Sequence, residues 1–210
     1  MAGPSGATPV LALPFPIPDD TVDIPRDIKA LADKLDPLVP TIPYGTSFPA
    51  SPANGQLAVL VNSTTDPVWQ WLFRYNANST SPYKWEFIGG SDHVNIVTAG
   101  EATSSTSFAD LATVGPSFNV PRSGEYHIDG SVRVNANNIQ GQIGLKVGAA
   151  TTVDVGSVLI VGTAIDIQVS IYPTVYIATA GDVAKFQYRV NSGSATFSFR
   201  SLRARPKRVS

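Results

Sequence analysis

Few residues of this chain have the type and spacing that catalysis needs. Its two histidines, His93 and His127, lie far apart in sequence, and His127 falls on the polar face of a strand, so they read as structural or surface residues rather than metal ligands. Cysteine is absent, which excludes a disulfide scaffold, a thiol nucleophile and a cysteine-based zinc or iron–sulfur site. No G-x-S-x-G elbow, phosphate-cradling loop or dinucleotide-binding glycine motif occurs. Three carboxylates cluster at Asp19, Asp20 and Asp23, but among prolines, where nothing would desolvate them or split their pKa values. The chain is therefore expected not to be an enzyme and to need no metal or cofactor.

The aromatic residues are more informative. Trp69, Trp71, Phe73 and Tyr75 recur at every second position, with Gln70 and Arg74 between them, which places the rings on one face of a strand. After the turn-rich NANSTSP, the pattern repeats in Tyr83, Trp85 and Phe87, giving a hairpin with a cross-strand ladder. All three tryptophans lie here and are expected in the core. Tyr75 and Tyr83, near the turn, are the rings expected to be exposed and able to stack on a ligand such as a sugar.

These rings need elements to hold them. The first 52 residues carry 11 of the 17 prolines and read as an extended arm. Within it, a helix is bounded by Pro25 at its first turn and Pro37 at its end. Ile24, Ile28, Leu31, Leu35 and Leu38 form a heptad seam on this helix, too short to stand alone, so it is expected to anchor the chain or join copies of it. From about residue 93, short alternating strands follow one another, clearest in EYHIDGSVRVN. Others centre on Ile143, Ile167, Phe186 and Phe197, and the alternation changes phase at Leu202, the mark of a bulge or the end of pairing. The expected fold is mainly β. Residues 1–40 form a proline-rich arm with one short helix, 41–92 a small aromatic β-module, and 93–210 an antiparallel β-sandwich of jelly-roll type.

Composition narrows the partners. Only 15% of residues are charged, against about 25% in an average domain, and the net charge is −1 with a pI near 6.1. No global field therefore draws nucleic acid. No apolar run reaches the roughly 18 residues of a membrane span, and no basic leader precedes one, so folding in the cytosol is expected. Arg200, Arg203, Arg205, Lys207 and Arg208 concentrate basic charge at the end of the sequence, read as a solvated face that discourages edge pairing. A polyanion contact is the alternative.

Three segments carry a resemblance to a known family. They are LPFPIPDDTVDIPRDIKALADKLD; FPASPANGQLAVLVN through WLFRYNANSTSPYKWEFIGG; and TSFADLATVGPSFNVPRSGEYHIDGSVRV with ATAGDVAKFQYRVNSGSATFSFRSLRARP. Together they resemble minor tail or tail-fibre proteins of tailed bacteriophages, especially those infecting actinobacteria, with a jelly-roll head of the complement and tumour-necrosis-factor type. The resemblance implies a homotrimeric virion protein of the tail, assembled in the host cytoplasm. The arm would dock to other tail or baseplate proteins, and the head would meet the host surface, where a glycan is the implied ligand. Polar loops around Asn135–Gly141 and Asn191–Ala195 are the expected contact regions. A capsid head fibre or decoration protein, or a free lectin-like binding module, are the alternatives.

Overall fold

The computed structural model describes residues 6–7, 14–15, 24–35, 42–162 and 165–210. They belong to two compact units, Met1–Ile42 and Pro43–Ser210. In the first, strands β1 (Gly6–Ala7) and β2 (Pro14–Phe15) pair antiparallel, and helix α1 spans Ile24–Leu35. Pro25 stands in the first turn of α1, where a missing N–H forfeits no helical bond, and Lys34 in the last turn favours the negative end of the helix dipole.

The second unit is built of strands β3 (Tyr44–Gly45), β4 (Leu57–Val61), β5 (Gln70–Tyr75), β6 (Trp85–Gly90), β7 (His93–Val97) and β8 (Glu101–Thr103). They are followed by β9 (Ser117–Asn119), β10 (Gly124–Ala136), β11 (Ile139–Val147) and β12 (Val153–Ile160), and then by β13 (Ile165–Ala178), β14 (Val183–Val190) and β15 (Ala195–Val209). One sheet runs β13-β10-β15-β6-β5-β4-β3, with β7 and β8 also paired to β15, and the other runs β12-β11-β14-β9. From β7 onward the order β13-β10-β15-β7 lies opposite β12-β11-β14-β9, which is the jelly-roll arrangement of two Greek keys. Tyr188 of one sheet and Phe197 of the other meet with ring centroids 4.9 Å apart, within a core that also holds Val132, Ile143 and Phe186.

The aromatic hairpin forms as its spacing requires. Phe73 faces Phe87 and Tyr75 faces Trp85 across β5 and β6, while a bulge after Leu72 sets Trp71 opposite Gly90. Gly90 has φ +134°, and a Cβ there would lie 2.9 Å from the Trp71 ring, so glycine is required on both counts. Trp71 is buried and its indole N–H donates to the Ser91 carbonyl at 2.8 Å. Residues 41–92 and 93–210, distinct in sequence character, are joined by main-chain pairing of Trp85 with Val209 and Glu86 with Arg208. Their apolar residues belong to one core.

Strand β15 differs from its sequence reading in two respects. It is a central strand and not an edge, because β10 pairs with one side while β8, β7 and β6 take successive stretches of the other. The phase change also comes earlier than Leu202. Phe199 has φ +44°, and the register with β10 slips between Ser131 and Arg133, so Phe197 and Arg200 both point inward with exposed Phe199 between them. A related irregularity in β13 absorbs Pro173, which has no N–H to give a ladder.

Arg200 is thus carried into the core at 0% exposure. Its Nη1 donates to the carbonyls of Thr113 (3.2 Å) and Gly115 (3.4 Å), its Nη2 donates to Glu101 (3.4 Å), and its guanidinium lies 5.5 Å from the Tyr188 ring centroid. Glu101 accepts from the hydroxyl and amide of Thr113, which hold its carboxyl below the usual carboxylate range, with Arg200 adding to the effect. The guanidinium therefore ties the crossover between β8 and β9 to the centre of the sandwich. Arg200→Ala leaves the Thr113 carbonyl without its described donor and Glu101 without its cation, while the Gly115 carbonyl keeps the Tyr188 hydroxyl at 3.3 Å. The change is expected to cost about 3–5 kcal/mol, read as a lower midpoint in urea unfolding, and an unchanged midpoint contradicts this role.

Candidate functional site

The structure distributes the sequence-derived candidates unevenly. Ile24 opens α1, Ile28 and Leu35 are 61% and 39% exposed, and Leu31 is half-buried; Leu38 lies outside the described residues. Lys29 and Asp33 form an ion pair at 2.6 Å, one turn apart on the same helix. Tyr75 is half-buried, its ring 5.2 Å from Trp85, and borders a cavity of about 380 Å³ with Phe48, Lys84 and Arg122. Tyr83 is also half-buried and is not part of that lining.

The polar segments fare differently. Most of Asn135–Gly141 belongs to β10 and β11, leaving a tight turn at Asn137 and Asn138, with Asn138 at φ +55°. Asn191–Ala195 does contain a loop. Asn138 accepts from the Gly162 amide at 2.8 Å and Asn191 accepts from the Gln140 amide at 2.9 Å, so these side chains bind neighbouring turns at one tip of the sandwich.

Of the basic C-terminal residues, Arg200 is buried, Arg203, Lys207 and Arg208 are paired, and Arg205 is exposed with no ion-pair partner among the described residues. Arg203 grips Asp129 with two bonds of 2.9 and 3.0 Å, Lys207 lies 3.5 Å from Glu125, and Arg208 lies between Glu86 and Glu125. Each pairing joins side chains on one face of the sheet, where cross-strand neighbours stand opposite one another. Elsewhere, burial would raise the Asp110 carboxyl, but bonds from Lys185 at 2.5 Å and Gln187 at 3.1 Å outweigh it and hold its pKa low. Among the described residues, no three His, Asp or Glu side chains stand close enough to hold a metal ion.

Sequence reading missed a second cavity, of about 300 Å³. It is lined by Asn62 and Trp69 from the β4–β5 loop, His93 and Asn95 from β7, and Phe118 and Asn119 from β9. Trp69 precedes β5, is half-buried, and stacks on Trp71 at 4.1 Å with 23° between the rings. His93 packs 5.0 Å from Phe118, and its Nε2 is shut off from solvent with no hydrogen-bond partner, a deficit of about 1–3 kcal/mol for a buried polar atom. The three contributing segments are remote in sequence, and the one local signal was the alternation that placed Trp69 beside the hairpin.

Comparison with known proteins gives no family: no family model and no curated protein matches. Solved structures resemble the chain distantly. The globular domain of zebrafish complement 1qA protein is 12% identical, with a TM-score of 0.35, over 54% of this chain and 96% of that one. The structure of infectious bursal disease virus, Gx strain, is 12% identical with a TM-score of 0.35, over 66% of this chain and 42% of the viral one. A carbohydrate-binding module of Cellvibrio mixtus lichenase 5A, in complex with cellotriose, is 18% identical with a TM-score of 0.24, over 74% and 88%. Among the described residues, no helix is long and apolar enough to cross a membrane.

His127 supplies a pH test of the sheet. Burial disfavours its cation, and Arg205 and Lys207 add to this more than Asp129 and Glu125 oppose it, so its pKa lies below 6.5. The unfolded chain then takes up the proton first, and His127 costs stability as pH falls from 6.5 through the folded-state value. Urea unfolding over this range is expected to show that loss in the wild type and a flatter profile in His127→Gln. Parallel profiles would contradict it.

Proposed function

We propose that this chain is a structural virion protein of a tailed bacteriophage, a homotrimeric minor tail or tail-fibre component. Its N-terminal segment, with Ile24, Ile28, Leu31, Leu35 and Leu38, would anchor it to other tail or baseplate proteins, and its head would contribute to host-surface attachment. Adhesion by three copies needs only a weak site on each, because joining the copies raises the effective concentration of the second and third sites.

The observation that carries this reading is the outer face of the nine-stranded sheet. The inner face fills the core, yet the outer face bears Val94 and Ile96 on β7 and Val175 and Ile177 on β13. Exposed Phe199 and Tyr172 lie at the two strand irregularities of the same sheet, and Tyr172 is 82% exposed. Between the apolar rows, Arg203 and Asp129 neutralise each other, Ser131 and Ser201 share a hydrogen bond of 3.0 Å, the Arg133 guanidinium covers the Phe199 ring at 4.4 Å, and Arg205 stands exposed. Exposed apolar groups flanking locally neutralised polar ones suit burial against another copy better than lasting contact with water.

Solution mass by light scattering is expected near three times the 22.2 kDa of one chain. Ile96→Lys and Ile177→Asp, both at exposed positions, are expected to lower it to one chain with little effect on thermal stability. A single-chain mass for the unaltered protein would overturn the trimer. Immunogold labelling of particles at the tail supports the tail assignment, whereas labelling of the capsid would favour a head fibre or decoration protein.

A further inference from the structure

Two edge strands on one flank of the sandwich, β7 of the larger sheet and β9 of the smaller, border the cleft of about 300 Å³ that the β4–β5 loop closes. From its geometry we infer that this cleft is a binding site for a neutral saccharide unit. The inference rests on the attachment reading for the ligand's source, a host-surface glycan, but its chemistry stands on the cleft itself.

The lining has the two components that sugar recognition needs. Trp69 supplies a flat apolar ring, half-exposed and fixed in orientation by Trp71 stacked at 4.1 Å, against which the C–H face of a pyranose can lie. Around it stand amide groups, each able to donate and accept, as every sugar hydroxyl does. Asn62 is held by its Oδ1, which accepts from the amides of Val68 (2.8 Å) and Trp69 (3.3 Å), so its NH2 group remains as a donor of fixed direction. Among the described residues, the side-chain amides of Asn95 and Asn119 have no hydrogen-bond partner. His93 contributes its ring to the wall, packed on Phe118, with Nε2 turned away from solvent and unpartnered.

The same lining argues against other ligands. Among the described residues that form it there is no Asp, Glu, Lys or Arg, so a phosphate or carboxylate would enter without a counter-charge. A wholly apolar ligand would leave the amides desolvated and unpaired. A neutral polyhydroxylated ring satisfies both the aromatic face and the amides, the combination of apolar wall and few placed polar groups found in small-molecule sites.

The test is a titration of the full chain with the methyl glycosides of glucose, galactose, mannose, arabinose and N-acetylglucosamine and with disaccharides of the same sugars. It follows the indole N–H resonances of the three tryptophans, assigned by single Trp→Phe replacements. At least one sugar is expected to shift the Trp69 signal saturably in the millimolar range, leaving Trp71 and Trp85 in place. Trp69→Leu could disturb the packing on Trp71, so Asn95→Ala and Asn119→Ala carry the decision. Each is expected to weaken binding roughly five- to tenfold, the effect of one lost hydrogen bond. No shift at Trp69 with any of these sugars, a shift that both asparagine variants leave unchanged, or tighter binding of glucuronate than of glucose would overturn the inference. A single-chain mass, or particles that carry no label, together with a saturable Trp69 shift would remove the trimer or the virion reading respectively and keep the site. A trimer with a silent Trp69 would do the reverse.

Discussion

One strand determines how the second unit is assembled. Along Ala195–Val209, β15 bonds to β10 on one side and to β8, β7 and β6 in succession on the other. The entry strands, the sandwich and the aromatic hairpin therefore share one backbone ladder. Without β15 the hairpin would lose its only described main-chain pairing to the head. Such pairings join residues remote in sequence, as Trp85 and Val209 are, so the architecture is complete only once its final strand is in place.

Two irregularities let that strand serve several neighbours. The bulge at Phe199 exchanges which alternate residues face the core, so Phe197 and Arg200 both point inward, and Arg200 then reaches the Thr113–Gly115 carbonyls that no main-chain partner in the sheets would meet. Burying a guanidinium is costly unless its donors find acceptors. Here two carbonyls, a carboxylate and the face of Tyr188 take its Nη groups, while its Nε is buried without a partner. After the bulge, Arg203, Lys207 and Arg208 are paired with Asp129, Glu125 and Glu86 on the neighbouring strands, and Arg205 is left exposed. The outer face of this sheet presents ion pairs and exposed aliphatic side chains, together with Arg205 and with Arg133 stacked on Phe199.

The proposed saccharide cleft and the apolar outer face occupy different parts of the same unit. Asn95 follows the inward phase of β7, while Val94 and Ile96 follow the outward phase, so one short edge strand supplies both surfaces. Association through the outer face would leave the cleft, on the other side of β7, with its own lining. The two proposed surfaces can then vary independently.

The sequence by itself determined the local elements. Prolines at 25 and 37 bracketed the helix, the every-second-residue spacing of Trp71, Phe73 and Tyr75 set the hairpin face, and alternation in EYHIDGSVRVN set the two sides of β10. These follow from backbone periodicity and from the fixed φ of proline, which act within a few residues. Tertiary structure alone decided that β15 is central, because alternation is the same for an edge strand and an internal one. It alone decided that Arg200 is buried, because a single extra residue at a bulge reverses every inward position after it. It also decided how the tyrosines and asparagines were placed: Tyr75 and Tyr83 are both half-buried, most of Asn135–Gly141 became strand, and Trp69, His93 and Asn119 were gathered around one cavity. Residues so distant along the chain meet only when the edges of two sheets come together, and nothing in their spacing records that meeting.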